Sequence, residues 1–381
     1  MPNLTDHSAR AHALLSASSA SRWLNCPPSA VAAEAYPQQD TEFTREGTLA
    51  HEVAEVVSRC RLHGAALCDA AMPEAPKDMI EHASGYADYI QEQIKTDDAT
   101  VLLEQRVDFS PWVPEGFGTA DCIVVQGRTI TVIDYKYGQG VPVSAEDNPQ
   151  MKLYALGALN LLGDLFELDT VELHIYQPRI NNVSAWATTT ADLLAWAEKT
   201  VQPIAAKAIK GKGAYSAGTW CKFCPHAGRC RQLTKTCTEY VEAHGMRASV
   251  PVLAPHEVAE ILQMESMVTL WLKRVRDQAL TTMLDGGEVP GFKVVEGRGS
   301  RAWTDEIGVA ETLKGAGYSL EDITKTELLS PAAMEKAIGK KKAAELLSEM
   351  IEKRAGAPTI APMTDKRPVY DRIAEAQKDF N

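Results

Sequence analysis

The stretch Thr119-Ala-Asp-Cys-Ile-Val-Val-Gln-Gly-Arg-Thr-Ile-Thr-Val-Ile-Asp-Tyr-Lys-Tyr-Gly138 decides how this chain is read. Two runs rich in Val, Ile and Thr flank Gly127-Arg128, a two-residue hairpin turn with Gly at its first central position. Gln126 then faces Thr129, and counting back along both strands sets Asp121 opposite Asp134. Opposed Cβ atoms lie roughly 4.5–5.5 Å apart. Lys136 shares the face of Asp134, because side chains alternate along a strand. The rest of that face is Ile123, Val125, Ile130 and Val132, an apolar surface that should be buried.

Two carboxylates at the end of a core-facing surface need a partner, since like charges opposed across strands destabilise and buried charge is costly. A divalent cation with hard oxygen ligands, Mg2+ or Mn2+, answers that need. An acidic pair neutralised by Lys136 is the alternative. The spacing favours the metal. Glu104 and Glu55 are read as solvated or salt-bridged acids that could serve as outer ligands.

Outward from the hairpin, helices are expected over 46–62, with His51 and Glu55 on one face, and over 77–95. Strands are expected over 101–109, 171–177 and 183–188. Pro149 opens a helix to Leu162, and a further helix should run from Thr190 to Ile209. This is an α/β pattern of the α+β kind with a mixed sheet. The boundaries place one domain at 1–240 and a mainly helical region at 250–381, with a long helix over 255–284, a short hairpin over 291–303, small helices over 305–354 and a Pro-rich tail.

Cys221, Cys224 and Cys230 form C-x2-C-x5-C, and Cys26 sits alone far upstream. Eight cysteines in a chain without a visible secretory signal do not read as a disulfide framework. Four thiolates suit an iron–sulfur cluster or zinc, although zinc usually takes paired knuckles and no second close pair exists here.

The formal net charge is −12, which argues against a cationic coat for indiscriminate nucleic-acid binding. Yet from Lys199 to Thr238 there is no Asp or Glu, while Lys207, Lys210, Lys212, Lys222, Arg229 and Arg231 fall within it. Such a stretch reads as a phosphate-binding surface or as a solvated face. No apolar run reaches membrane-spanning length, and a cytoplasmic protein is expected.

Gly118-Thr-Ala-Asp121, Ile133-Asp134-Tyr135-Lys136, Gln150-x-x-x-Tyr154 and the upstream Gly47-Thr-Leu-Ala-His51 together resemble the PD-(D/E)XK nuclease superfamily. The resemblance is to its RecB-like branch and covers residues 40–235. It implies a restriction-endonuclease-like core and metal-dependent hydrolysis of DNA phosphodiesters. His51, Asp121, Asp134 and the Tyr135 carbonyl would bind metal, and Lys136 would orient or activate water and stabilise charge. Gln150 and Tyr154 would position DNA or the lysine.

One cysteine before the core and three after it also resemble the iron–sulfur group that includes the AddB nuclease domain and the CRISPR adaptation nucleases. That likeness implies a 4Fe-4S cluster on Cys26, Cys221, Cys224 and Cys230. The whole chain resembles a phage and prophage family of this kind. It implies an exonuclease acting on DNA ends or single strands, with a single-strand annealing protein as partner and no membrane. Oligomeric state is left open. A non-catalytic DNA-binding scaffold that keeps the fold is the alternative.

Overall fold

The computed structural model describes residues 13–36, 41–63, 73–245 and 254–294. All of them belong to one compact unit, Met1–Gly297. The expected small helices over 305–354, the tail, and the hairpin beyond residue 294 lie outside the described residues.

Five strands form one mixed sheet in chain order: β1 (Thr100–Asp108), β2 (Phe117–Gln126), β3 (Thr129–Tyr135), β4 (Thr170–Gln177) and β5 (Asn182–Thr189). β3 and β4 are parallel, and the other neighbours are antiparallel. Gly127 carries the positive φ (+55°) at the β2–β3 turn, and Gln126 pairs with Thr129 as the turn chemistry requires. In the loop after β4, Asn181 takes the left-handed conformation (φ +51°), a place Asn tolerates well.

Both faces of the central strands β2 and β3 are buried, whereas β5 leaves one face exposed. Ile123, Val125, Ile130 and Val132 pack under α5 (Pro149–Leu162), the crossover from β3 to β4, and under the N-terminal helix α1 (Ala20–Asn25). Cys122, Val124, Ile133 and Tyr135 pack under α3 (Glu42–His63) and α4 (Lys77–Gln93); the short α2 (Ser29–Glu34) follows α1. Each fully buried Ile or Val contributes about 1.5–3 kcal/mol. Continuous apolar runs in β2 and β3 follow from covering both faces.

Two glycines let α5 approach the sheet. A Cβ at Gly157 would lie 2.8 Å from Val107, and one at Gly118 would lie 2.8 Å from the Tyr154 ring. Gly118 thus brings the Tyr154 face of α5 against β2.

The expected helix from Thr190 is interrupted. α6 (Thr190–Trp196) passes through a π-helical stretch, Ala197–Val201, into α7 (Gln202–Ala208). Pro203 has no N–H for the Lys199 carbonyl, so the helix widens before it. A helix not read from the sequence, α8 (Arg231–Gly245), follows the cysteine motif and buries Leu233 and Cys237. The long helix α9 (Pro255–Leu284), grouped by sequence with the C-terminal region, belongs to this unit. Its Met267, Val268, Leu270 and Trp271 pack against the cysteine segment, and the Arg274 guanidinium donates to the Lys222 carbonyl at 2.7 Å.

Candidate metal centre and cysteine cluster

The β2–β3 register is the expected one, but the ladder stops at Cys122–Ile133, one pair short of the two acids. Asp121 leaves the ladder, and its Oδ2 accepts the Tyr135 N–H at 2.7 Å. The same residue interrupts the β1–β2 ladder, which lapses between Leu103–Cys122 and Gln105–Ala120. Glu104, facing that gap, adopts φ +47°, a left-handed conformation that costs energy in a non-glycine residue. The sheet therefore parts around Asp121, and three strands present carboxylates toward the opening.

His51 comes down from α3 on the other side. Its Nδ1 lies 3.4 Å from Asp121 Oδ1, and its ring stands edge-on to Tyr135 at 5.7 Å. One ligand atom each from His51, Glu104 and Asp121 lie within 4.8 Å of one another. A cleft of about 310 Å³ lined by Thr48, His51, Glu52, Glu55 and Glu104 opens beside them. Glu104 is thus part of the cluster rather than a solvated acid, whereas Glu55 is salt-bridged to Arg59 at 2.8 Å.

Asp134 is buried on the α5 side. Lys136 Nζ sits 2.9 Å from its Oδ2, an oxygen that has no hydrogen bond of good geometry. Gln150 links the group: its Oε1 accepts from Lys136 Nζ at 3.3 Å, and its Nε2 donates to Asp134 Oδ1 at 3.4 Å and to the Tyr154 hydroxyl at 3.3 Å. Asn148 caps α5 by accepting from the Gln150 and Met151 N–H groups, which fixes the first turn that carries Gln150. Gln150 and Tyr154 therefore hold the lysine and the acid.

The electrostatics are those of a site short of positive charge. Burial and the neighbouring Asp121 lift the Glu104 carboxyl to about 8. Burial also raises Asp134, with Lys136 opposing. Burial disfavours a charge on His51, but Asp121 outweighs it and lifts the imidazole to about 9. Burial likewise disfavours the Asp121 carboxylate, yet His51 holds it below the ordinary range. Lys136 stays charged, because Asp134 and Asp121 overcome its desolvation.

Sequence reasoning missed Arg179, in the turn after β4. It pairs with Glu46 of α3 at 2.9 Å and lies 4.6 Å over the Tyr137 ring. It thereby ties the helix bearing His51 to the segment following Lys136. Nothing local in the sequence marks it, since its partners are more than 40 residues away.

The four singled-out cysteines meet. Cys26, Cys221, Cys224 and Cys230 are buried, unbridged, and line one small cavity with Arg22, Tyr215 and Trp220. Among the described residues no three of these sulfurs come within 4.8 Å of one another. The Ser216 hydroxyl donates to the Asn25 carbonyl at 2.5 Å, joining the two distant segments beside Cys26. His226 is occupied by the Tyr36 hydroxyl at 3.1 Å. Lys207, Lys210, Lys212, Lys222, Arg229 and Arg231 are exposed and make no ion pair within the described residues.

The pH dependence follows from the two raised groups. In the metal-free protein, His51 and Glu104 hold protons that the unfolded chain has already released, so their contribution is fully present below about pH 4.5 and declines as pH rises through about 8 to 9. A cation held by His51 and Glu104 would have to displace both protons. The melting temperature without metal should therefore fall from pH 6 to pH 9, and the increment from added Mg2+ should grow over the same interval. An increment independent of pH would place the ion elsewhere.

Among solved structures, one titled "Crystal structure of SSO0001" aligns with 47% of this chain and 85% of its own, at 17% identity and a TM-score of 0.23. Residues 12–368 match the family described as "Protein of unknown function (DUF2800)". That span is most of the 381 residues, and the chain belongs to this family.

Proposed function

We propose that the chain is a metal-dependent deoxyribonuclease of the PD-(D/E)XK type, working as an exonuclease on DNA ends or single strands. The observation that carries this reading is the gathering of His51, Glu104, Asp121, Asp134 and Lys136 where the sheet parts. His51, Glu104 and Asp121 offer one nitrogen and two carboxylate oxygens within 4.8 Å, and Asp134 adds an oxygen without a good hydrogen bond. This donor set fits Mg2+ or Mn2+, with the Tyr135 carbonyl as a further oxygen. A bound ion would lower the pKa of its water and polarise the phosphoryl oxygens.

The chain's own side chains divide the remaining work. Lys136 is an ammonium held at 2.9 Å from Asp134 and anchored by Gln150, so it cannot take a proton from water. It stabilises charge developing on the phosphate. Tyr154 steadies Gln150, and Arg179 keeps α3 in register with the Lys136 strand. The acid-free basic stretch supplies phosphate contacts, which set affinity without reading sequence. Action in phage recombination or end processing, beside a single-strand annealing protein, is in keeping with end-directed cleavage.

The cysteines support a 4Fe-4S cluster more than zinc. A zinc with bonds of about 2.3 Å draws its sulfurs within about 4 Å of each other. No three of the four sulfurs lie that close among the described residues, and four thiols around one cavity supply the ligands that a larger inorganic core takes. It would staple the N-terminal helix to the segment after the sheet.

With Mg2+, the protein should degrade end-labelled linear DNA and spare closed circles. Asp121→Ala and Asp134→Ala should abolish cleavage while DNA binding persists, and Lys136→Ala should slow it by roughly 10²–10³-fold. Full activity in all three variants would remove the proposed centre, leaving a DNA-binding scaffold as the better reading.

Protein purified without oxygen should be brown, and serine at any of Cys26, Cys221, Cys224 or Cys230 should bleach it and lower the melting temperature. Stoichiometric zinc without iron would sink the cluster assignment.

A further inference from the structure

Phe223 stands between two buried cysteines, Cys221 and Cys224, yet 77% of its surface is exposed. It adds nothing to the core. Its backbone is nonetheless held firmly: it ends a 3-10 turn, Thr219–Phe223, whose Lys222 carbonyl is fixed by Arg274 of α9. Lys222 Nζ lies 5.3 Å from the ring centroid, so the ring is presented with a cation against it. Tyr215, 43% exposed, leans on His226 in the same segment with ring centroids 6.1 Å apart. Lys207, Lys210, Lys212, Arg229 and Arg231 complete a run that contains no acid.

An exposed aromatic ring on a fixed backbone, beside one cation and within a basic run that makes no ion pair among the described residues, is the combination that binds single-stranded nucleic acid. The cations follow the phosphates, and the ring stacks on a base whose faces are free. In a duplex those faces are covered, so the ring gains nothing there except at a frayed end. We propose that Phe223, with Lys222 and Tyr215, is a base-stacking platform for single-stranded DNA. This inference rests on the nuclease reading and deepens it: the surface beside the cysteine cavity would hold the unpaired strand.

The test uses the full chain in magnesium-free buffer, where no cleavage occurs. The probes are fluorescent oligothymidylate of roughly 16 nucleotides, the upper range of such grooves, and a duplex of equal length. Phe223→Ala should weaken oligothymidylate binding roughly ten-fold or more, the size of one lost stack, with little effect on the duplex. The slope of log affinity against log salt should not change, because no phosphate contact is removed. Phe223→Leu should behave like Phe223→Ala, and Phe223→Trp like the parent protein. A 2-aminopurine placed in the oligonucleotide should be quenched by the parent protein and not by Phe223→Ala.

Unchanged oligothymidylate affinity in Phe223→Ala, or full binding by Phe223→Leu, would overturn the platform while leaving the nuclease reading intact. A change in oligomeric mass with unchanged DNA affinity would show instead that the ring packs on a second copy, and would overturn it too. Failure of the parent protein to bind either DNA would overturn both readings together.

Discussion

The structure turns on one substitution of partners: the Asp121 carboxylate, in place of a backbone carbonyl, accepts the N–H of Tyr135. A sheet ladder normally leaves no room for a side chain between its strands. Here β2 steps away from β3 just as the two acids would meet, and β1 loses its pairing at the same level through the left-handed Glu104. The opening is therefore built by the strands themselves. Helices α3 and α5 then close on it from opposite faces, one bringing His51 and the other Gln150.

Such an arrangement is unfavourable as an end in itself. Three acids gather in or beside a core, and Lys136 and His51 only partly offset them. The upward shifts of Glu104 and Asp134 express that imbalance, since burial first and the neighbouring Asp121 after it make each acid resist ionising. A strained backbone at Glu104 adds to the cost. Stored strain and crowded like charges are tolerated where a ligand repays them, and on the proposed reading a divalent cation would repay both. The second assembly, the cysteine cavity, acts on a different part of the fold: it joins α1 to the segment after the sheet, with α9 bracing it from outside.

The hairpin was legible because Gly127 leaves few choices for the turn, and the turn sets the register of every residue back to Cys122. Asp134 and Lys136 followed from alternation, while Gln150 and Tyr154 came from the resemblance, with helix spacing placing them on one face. What the register could not give was the break at Asp121, which depends on a side chain displacing a backbone partner. Glu104 was undervalued for the same reason, because its place depends on the pairing of a third strand and on a φ that no motif announces. Arg179 was invisible, since its contacts are tertiary. The π-helical stretch was readable in principle from Pro203. Helix α8 was obscured by the cysteine motif it follows, although Leu233 and Cys237 have helical spacing.

The most direct test of a cation-shaped opening is the melting temperature of Glu104→Gln at pH 9, above the raised value of about 8 where the parent's carboxyl is ionised, measured with and without Mg2+. Gln keeps the shape and removes the charge. The account predicts that the metal-free variant melts higher than the parent, by roughly 2–4 °C for each kcal/mol of repulsion relieved, and that its response to Mg2+ is largely lost. A variant that melts lower without metal, or that keeps the full Mg2+ response, would contradict it.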